Sequence, residues 1–268
     1  MDRPWVLAEA LVAVRRYPDR VRTTCDRDEI RQLLNADRVW SIYALADLDP
    51  HLFPLCQWWT TGRGLALVFT GIEIQPIFVS GPKQDVHQLL AALPVVQGYL
   101  NLRDDHAPQG FFRYQEPHRM RRMVIEKPQS FQSAPTLRLE RGNAGEIQSL
   151  YSTGSGAGVA FGAFQLDTGF FRGVRDDTGD LIAVAGVHVV STGESVAGVG
   201  NVFTREDYRG KGLAQITTSA VTNALFEAGI ETIGLNVEQD NAPAIRAYEK
   251  LGYRAAFEYW EGTAVRLR

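Results

Sequence analysis

Two cations and two glycines stand in a row at Arg209-Gly210-Lys211-Gly212, where they could bind an anion. A valine-rich run over about 196–204 predicts a strand before them, and the apolar spacing after them predicts a helix. The first turn of a helix has backbone N–H groups without internal partners, and glycines let an anion approach them closely. The stretch therefore indicates a site for a phosphate or pyrophosphate. A basic surface turn would have the same composition.

A second strand, turn and helix are predicted over 232–252. Asn241 is expected to cap the helix, with Pro243 in its first turn. Tyr248 falls on the apolar face of this helix. A phenol has a pKa of about 10 and a thiol about 8.5, so Tyr248 could protonate a leaving thiolate. The alternative is a buried tyrosine whose hydroxyl simply bonds a nearby polar group.

Together the two stretches resemble the GCN5-related N-acetyltransferase (GNAT) superfamily. The acyl-coenzyme A loop of that superfamily, [Q/R]-x-x-G-x-[G/A], matches Arg209, Gly212 and Ala214. A later signature, N-x-x-A-x-x-x-Y-x-x-x-G-[F/Y], matches Asn241, Ala244, Tyr248, Gly252 and Tyr253. The resemblance covers about residues 135–268.

This resemblance implies an enzyme that moves an acetyl or short acyl group from acyl-coenzyme A to an amine, which attacks the thioester directly and needs no metal. It implies that backbone N–H groups of the loop hold the pyrophosphate, that strand amides contact the pantetheine and the thioester oxygen, and that Tyr248 is the acid. The implied cofactor-binding residues are Val202, Phe203, Thr204, Arg209, Gly210, Lys211, Gly212, Leu213, Ala214, Gln215, Asn241, Ala244 and Tyr248.

The base that takes the proton of the amine is harder to identify. Many relatives carry a glutamate on the strand before the loop, but this chain has Val196 there and no carboxylate in the run that follows. His188, on the neighbouring predicted strand, is a candidate catalytic residue because its usual pKa suits proton transfer, although a histidine in an apolar strand is commonly structural. Glu194, Glu206, Glu238 and an ordered water chain are the alternatives.

Two classes of function follow. The first is the acyltransferase, with a small amine, an amino acid, or a protein lysine or N-terminus as acceptor, and with a homodimer left open. The second is a noncatalytic acyl-coenzyme A-binding or regulatory module, which the missing strand carboxylate permits. A nucleotide-binding protein is disfavoured, because no magnesium-binding signature surrounds the loop, which is neither a Walker A loop nor a Gly-x-Gly-x-x-Gly fingerprint.

The composition of the chain limits its class. Its 268 residues favour two domains, and its net charge of −3 gives no reason to expect a nucleic-acid or membrane partner. Cys25 and Cys56 are too few for a disulfide framework and lack metal-ligand spacing, so both are expected to be buried. The first residues lack the order of a secretory signal, and a cytoplasmic protein is expected.

Helices are predicted at 5–16 and 27–36, the second capped by Asp26, and the aromatic-rich stretch 40–59 is expected to form core packing. The further elements predicted before the polar stretch 126–136 are a hairpin at 64–70 and 72–79, a helix at 84–93, and strands at 95–102, 110–115 and 119–127. The polar stretch is the preferred domain boundary. It separates domains at 1–130 and 135–268.

The second domain is predicted to begin with a strand and a helix, to continue with two strands at 170–191, and to end with strands around 255–260 and 263–267. The helix after the glycine loop is expected to bury Leu213, Ile216, Ala220, Val221, Ala224 and Leu225. The order is that of the acyl-coenzyme A N-acyltransferase fold, an α/β (α+β) fold with a mixed sheet flanked by helices. The sequence of residues 169–204 resembles the branch of the superfamily near glycine N-acyltransferase. This resemblance implies that residues 1–130 are a degenerate first copy of the fold.

Overall fold

The computed structural model describes residues 21–106, 108, 110–127, 135–154 and 161–267. The predicted helix at 5–16 and most of the stretch 126–136 lie outside these residues. Contacts divide the chain into two units, one of Met1–Met120 with Glu258–Arg268 and one of Arg121–Phe257. This division differs from the boundary at 126–136, because the end of the C-terminal strand belongs to the first unit.

The first unit alternates short helices and strands. Its elements are β1 (Arg22–Thr23), α1 (Arg27–Asn35), α2 (Ile42–Ala46), β2 (Cys56–Thr61), β3 (Gly64–Phe69), β4 (Pro76–Ser80), α3 (Lys83–Ala92), β5 (Gln97–Arg103), β6 (Phe112–Tyr114) and β7 (His118–Ile125), whose last residues belong to the second unit. Strands β1 to β4 are antiparallel in chain order, and β5 is parallel to β4. These elements confirm the predicted helices at 27–36 and 84–93 and the hairpin.

Helix α1 shows why these elements form where they do. The carboxylate of Asp26 accepts hydrogen bonds from the N–H groups of Asp28 and Glu29, which satisfies two donors at the helix start. Ile30 and Leu34 are one turn apart, and both are buried. The predicted Asp26 cap is therefore confirmed, and the helix buries one apolar face.

The second unit contains the predicted site. Its elements are β8 (Leu137–Leu139), α4 (Ala144–Tyr151), β9 (Phe171–Arg175), β10 (Leu181–Ser191), β11 (Val196–Thr204), α5 (Leu213–Glu227), β12 (Thr232–Glu238), α6 (Ala242–Lys250) and the start of β13 (Arg254–Arg266). Strands β8 to β11 are antiparallel in chain order, and β12 is parallel to β11. The mixed sheet flanked by helices is confirmed.

The two units share one topology. In each, a first strand is followed by helical segments, then by three antiparallel strands, a helix, and a strand parallel to the third of them. Strand β4 thus corresponds to β11, α3 to α5, and β5 to β12. In this order the predicted anion loop of the second unit corresponds to the short β4–α3 turn of the first.

Three sequence expectations need correction. The strands predicted at 255–260 and 263–267 are one strand, β13, which passes through Gly262, where a side chain would collide with the Glu116 carbonyl. Cys25 is exposed, and Cys56 is half-buried with its Sγ 3.3 Å from the Leu52 oxygen. Strand β2 and the helical turn Ala163–Thr168 were not predicted.

Helix α5 buries a different face from the predicted one. Val221 and Leu225 are buried as expected, whereas Leu213, Ile216, Ala220 and Ala224 are only partly covered. Three threonines and a serine fill the remaining buried positions, Thr217, Thr218, Ser219 and Thr222. The Thr222 hydroxyl donates to the Thr218 oxygen at 2.8 Å, so the polar group is satisfied inside the helix while its methyl group packs. None of the helices among the described residues is long and apolar enough to cross a membrane.

Candidate active site

The site begins where β11 separates from β12. Their parallel pairing runs from Val196 and Thr232 to Val199 and Leu235, and no later pair is formed within the described residues. On its other side β11 stays paired with β10 as far as Thr204. The last five residues of β11 therefore present one backbone edge that β12 does not cover.

The pairing with β10 decides which N–H groups face that edge. The Arg205 N–H donates to the Ile182 oxygen at 2.9 Å, and Phe203 lies opposite Val184. Since N–H directions alternate along a strand, Phe203 points its N–H toward β10, while Val202 and Thr204 point theirs toward the open edge. Of the three residues predicted to bind cofactor through backbone N–H groups, two are suitably directed.

A bulge at Asn201 sets the direction of the next residue. Asn201 has a φ of 54°, which is rare for a residue other than glycine. Its carbonyl accepts from the Tyr151 hydroxyl at 2.8 Å, and its side-chain amide donates to the Val187 oxygen and to Gln165 Oε1. These bonds hold the bulge in one conformation, and with it the N–H of Val202.

His188 lies against this bulge. Its Nε2 accepts from the Asn201 N–H at 3.3 Å, and its ring occupies the space that a side chain at Gly200 would need. Removal from water lowers the pKa of His188 to about 4, so the imidazole is neutral near pH 7. Because Nε2 is already an acceptor, the geometry supports a role in positioning the bulge more than a role as base.

The predicted anion loop lies directly after β11. A helical turn, Glu206–Tyr208, leads into Arg209-Gly210-Lys211-Gly212, and the 15-residue helix α5 starts at Leu213. Gly210 and Gly212 both have a φ of 79°, and the space where a Gly210 side chain would stand is open. Helix α5 has no side-chain cap and no acidic residue in its first turn. Its first N–H groups are therefore free of local carboxylates, which favours an anion.

The second signature also forms the predicted structure. Asn241 Oδ1 accepts from the Ala244 N–H at 3.2 Å and caps α6. Tyr248, on the buried side of this helix, packs edge-to-face with Tyr253 at 6.1 Å between ring centres. Burial raises the pKa of Tyr248 to about 12, so its hydroxyl stays protonated at neutral pH.

The two tyrosines differ in what their hydroxyls contact. The Tyr253 hydroxyl lies 2.7 Å from Thr222 Oγ1. In the part of the chain that the structure describes, no group is within hydrogen-bonding distance of the Tyr248 hydroxyl. Tyr253 therefore has a structural partner, whereas the Tyr248 hydroxyl has none among the described residues.

The glutamates considered as bases fall at different ends of the sheet. Glu194 precedes β11 and lies at the end opposite the loop, beside the buried Val196. Glu206 is exposed and lies 3.8 Å from Arg209, and Glu238 is at the end of β12. Only the latter two share the loop edge. The described ranges contain no cluster of three metal-ligating side chains.

Comparisons with known proteins agree with this geometry. Residues 146–253 match the model of the Acetyltransferase (GNAT) family. A mycothiol acetyltransferase of Tsukamurella paurometabola is 31% identical over 117 residues, which are 42% of this chain and 39% of that protein. Matches to two further mycothiol acetyltransferases cover 18% of each. The chain thus spans less than half the length of these curated relatives.

Solved structures extend the similarity of fold over most of the chain. A candidate GNAT acetyltransferase from Novosphingobium aromaticivorans has a TM-score of 0.60 at 22% identity, covering 87% of this chain and all of that one. A tandem GNAT protein from the clavulanic acid biosynthesis pathway has a TM-score of 0.54 at 12% identity, covering 92% and 98%. These structures show the fold, and the family match confirms the predicted superfamily for residues 146–253, which form a GNAT acetyltransferase domain.

Proposed function

We propose that this protein transfers an acetyl group from acetyl-coenzyme A to an amine. One observation carries the proposal. The open edge of β11, with the N–H groups of Val202 and Thr204, leads directly into a glycine loop at the start of α5. An extended chain bearing amides can pair with such an edge, and a pyrophosphate suits the helix start. The acetyltransferase names of the relatives support acetyl as the acyl group.

The loop and strand would divide the binding. N–H groups between Gly210 and Gln215 would hold the pyrophosphate, with Arg209 and Lys211 adding charge. Val202 and Thr204 would pair with the pantetheine amides. Asn241 and Ala244, at the start of α6, would line the neighbouring wall.

The reaction would need three contributions from the chain. The amine nitrogen forms a bond to the thioester carbon, and the Val202 N–H donates to the oxygen that becomes negative. When the carbon–sulfur bond breaks, Tyr248 gives its proton to the thiolate, which leaves as coenzyme A. The proton lost by the amine passes to water, and water then restores the Tyr248 proton. His188 would hold the bulge at Asn201 that aims the Val202 N–H.

A noncatalytic acyl-coenzyme A-binding module is the second candidate, because β11 has no carboxylate from Val196 to Thr204. Thiol release from acetyl-coenzyme A, measured with a panel of small amines, amino acids and lysine peptides, separates the two. The enzyme releases thiol with at least one acceptor class. Binding of coenzyme A without release in any of them would favour the module.

We also propose that the N-terminal region, residues 1–130, is a degenerate copy of the same fold that binds no cofactor. The shared topology of the two units supports it, as does the similarity to a tandem GNAT protein. The similarity of residues 169–204 to the branch near glycine N-acyltransferase stays a prediction.

A further inference from the structure

The hairpin turn between β9 and β10 contains a carboxylate with two separate sets of partners. Oδ1 of Asp176 accepts from the Thr178 N–H at 3.0 Å, the Thr178 hydroxyl at 2.6 Å and the Asp180 N–H at 3.0 Å. The turn itself therefore uses this oxygen fully. The hydrogen bond from the Thr178 hydroxyl is the main cause that holds the pKa of Asp176 well below its usual range, so the group is ionised at neutral pH.

The other oxygen of Asp176 contacts the loop after β11. Its Oδ2 accepts from the Tyr208 hydroxyl at 3.1 Å and from Arg205 Nη2 at 3.3 Å. Only 9% of the Asp176 side chain is exposed. A single carboxylate thus joins the hairpin turn to the residues that immediately precede the glycine loop.

Tyr208 extends this connection to a loop cation. Two positive groups lie over its ring, Arg205 Cζ at 4.6 Å and Lys211 Nζ at 4.4 Å from the ring centre. Arg205 also has Asp207 at 2.9 Å, so its charge is compensated. Lys211 has no carboxylate partner among the described residues. The ring of Tyr208 therefore positions the Lys211 ammonium group, the cation that is available to a phosphate.

We propose that Asp176 is a positioning residue for the phosphate-binding loop. Its carboxylate fixes the Tyr208 hydroxyl, and the Tyr208 ring in turn holds Lys211 beside the N-terminus of α5. This inference rests on the proposed function, because it requires that the loop binds the phosphates of coenzyme A.

Charge and positioning predict opposite effects at this site. Asp176 is an anion beside a site for anions, so removing its charge should strengthen phosphate binding if only Coulomb repulsion mattered. If the carboxylate positions the loop, the same change should weaken it. The direction of the effect therefore separates the two causes.

The test compares Asp176→Asn with Asp180→Asn in the full chain. Asp180 is in the same turn and carries the same charge, but it is 72% exposed and 3.9 Å from Arg205. Calorimetry with coenzyme A should give about tenfold weaker affinity for Asp176→Asn and equal or slightly tighter affinity for Asp180→Asn. Pantetheine, which lacks the phosphates, is measured by competition and should bind both variants like the parent protein.

Tyr208→Phe provides the second variant. It removes only the hydroxyl that donates a hydrogen bond to Asp176, so it should reproduce most of the loss of coenzyme A affinity. The double variant should bind coenzyme A little more weakly than either single variant. Unchanged or tighter binding of coenzyme A by Asp176→Asn would overturn the inference. So would additive losses, or a parallel loss of pantetheine affinity and melting temperature. A parent protein that binds no coenzyme A would instead refute the proposed function.

Discussion

The turn after β4 and the loop after β11 occupy the same place in two units of one topology, yet they are built differently. Only Gly81 and Pro82 separate β4 from α3, whereas eight residues, Arg205–Gly212, separate β11 from α5. Helix α3 has Asp85 in its first turn, and that carboxylate accepts from the Arg63 N–H at 2.9 Å. The first turn of α3 therefore already carries a negative charge, whereas that of α5 carries none.

The strand edges differ as well. The pairing of β4 with β5 ends at Phe78, just as β11 leaves β12. In the first unit Trp40 occupies the opening, where its Nε1 donates to the Val79 oxygen at 2.7 Å and its ring packs on Phe78 and Tyr259. The topology therefore leaves a strand edge open in both units, and in the first unit the side chain of Trp40 fills the opening.

The largest expected effect comes from closing the loop of the second unit. Gly212→Val places a branched side chain at a left-handed position beside the anion site, and coenzyme A affinity should fall by at least about a thousandfold. Gly229→Val is the control, because Gly229 has a φ of 80° at the other end of α5. Calorimetry should show normal affinity for the control, with both variants melting lower than the parent. Equal affinities for the two variants would refute the loop assignment.

The next effect concerns Tyr248. Tyr248→Phe keeps the ring and removes the donor, so turnover should fall by roughly a hundredfold or more while coenzyme A affinity changes little. Tyr253→Phe loses the bond to Thr222, so it should lower the free energy of unfolding by about 1 kcal/mol and leave turnover near normal. Steady-state kinetics and urea unfolding of both variants provide the measurement. Normal turnover in Tyr248→Phe would place the acid elsewhere.

A smaller effect tests how the first unit fills its opening. Trp40 and Trp58 are both 2% exposed, but Trp58 Nε1 has no acceptor among the described residues. Both phenylalanine variants lose similar ring volume. Trp40→Phe should therefore be less stable than Trp58→Phe by about 1 to 3 kcal/mol, because it leaves the Val79 oxygen without its donor. Denaturant unfolding measures this difference, and calorimetry should find one coenzyme A per chain in both. A second bound molecule would contradict the proposed loss of the first site.

The last predicted effect is a dependence of stability on pH, with opposite directions in the two units. The pKa of His188 is lowered from 6.5 to about 4, so its contribution is complete above pH 6.5 and is lost as the pH falls toward 4. Burial raises the pKa of Asp47 from 3.8 to about 7, so its contribution is complete below pH 3.8 and is lost as the pH rises through 7.

Single variants separate these two contributions. His188→Gln should reduce the loss of stability toward low pH by at most about 3 kcal/mol, and Asp47→Asn should reduce the loss toward high pH. Urea unfolding between about pH 4 and 8, a window that covers the range in which both groups titrate, measures each slope. A variant with the same slope as the parent would show that its residue does not titrate as described.

Much of the site framework could be predicted because its signals are local. The bounds of β11, the start of α5 after Gly212 and the Asn241 cap follow from alternation, glycines and capping chemistry within a few residues. All three are confirmed. The roles of Tyr248 and the loop in binding and catalysis stay predictions.

The remaining features depend on contacts between distant segments. The Tyr208 hydroxyl bonds Asp176, 32 positions earlier, and Trp40 bonds Val79, 39 positions later. Such contacts depend on strand register and turn geometry, which short sequence windows do not determine. The hydrogen bond from the Asn201 N–H to His188 Nε2 similarly arises only because β10 and β11 pair around a bulge.

The C-terminal strand affects the order in which the protein can be made. Residues 259–265 of β13 pair with β5 and complete the sheet of the first unit, and the Tyr99 hydroxyl reaches Glu261, 162 positions later in the chain. A ribosome has therefore translated the entire second unit, Arg121–Phe257, before the first can close its sheet. Long-range pairing of this kind slows folding and leaves a strand edge exposed meanwhile. During synthesis the sheet of the first unit therefore stays incomplete, with the β5 edge unpaired until residues 259–265 emerge.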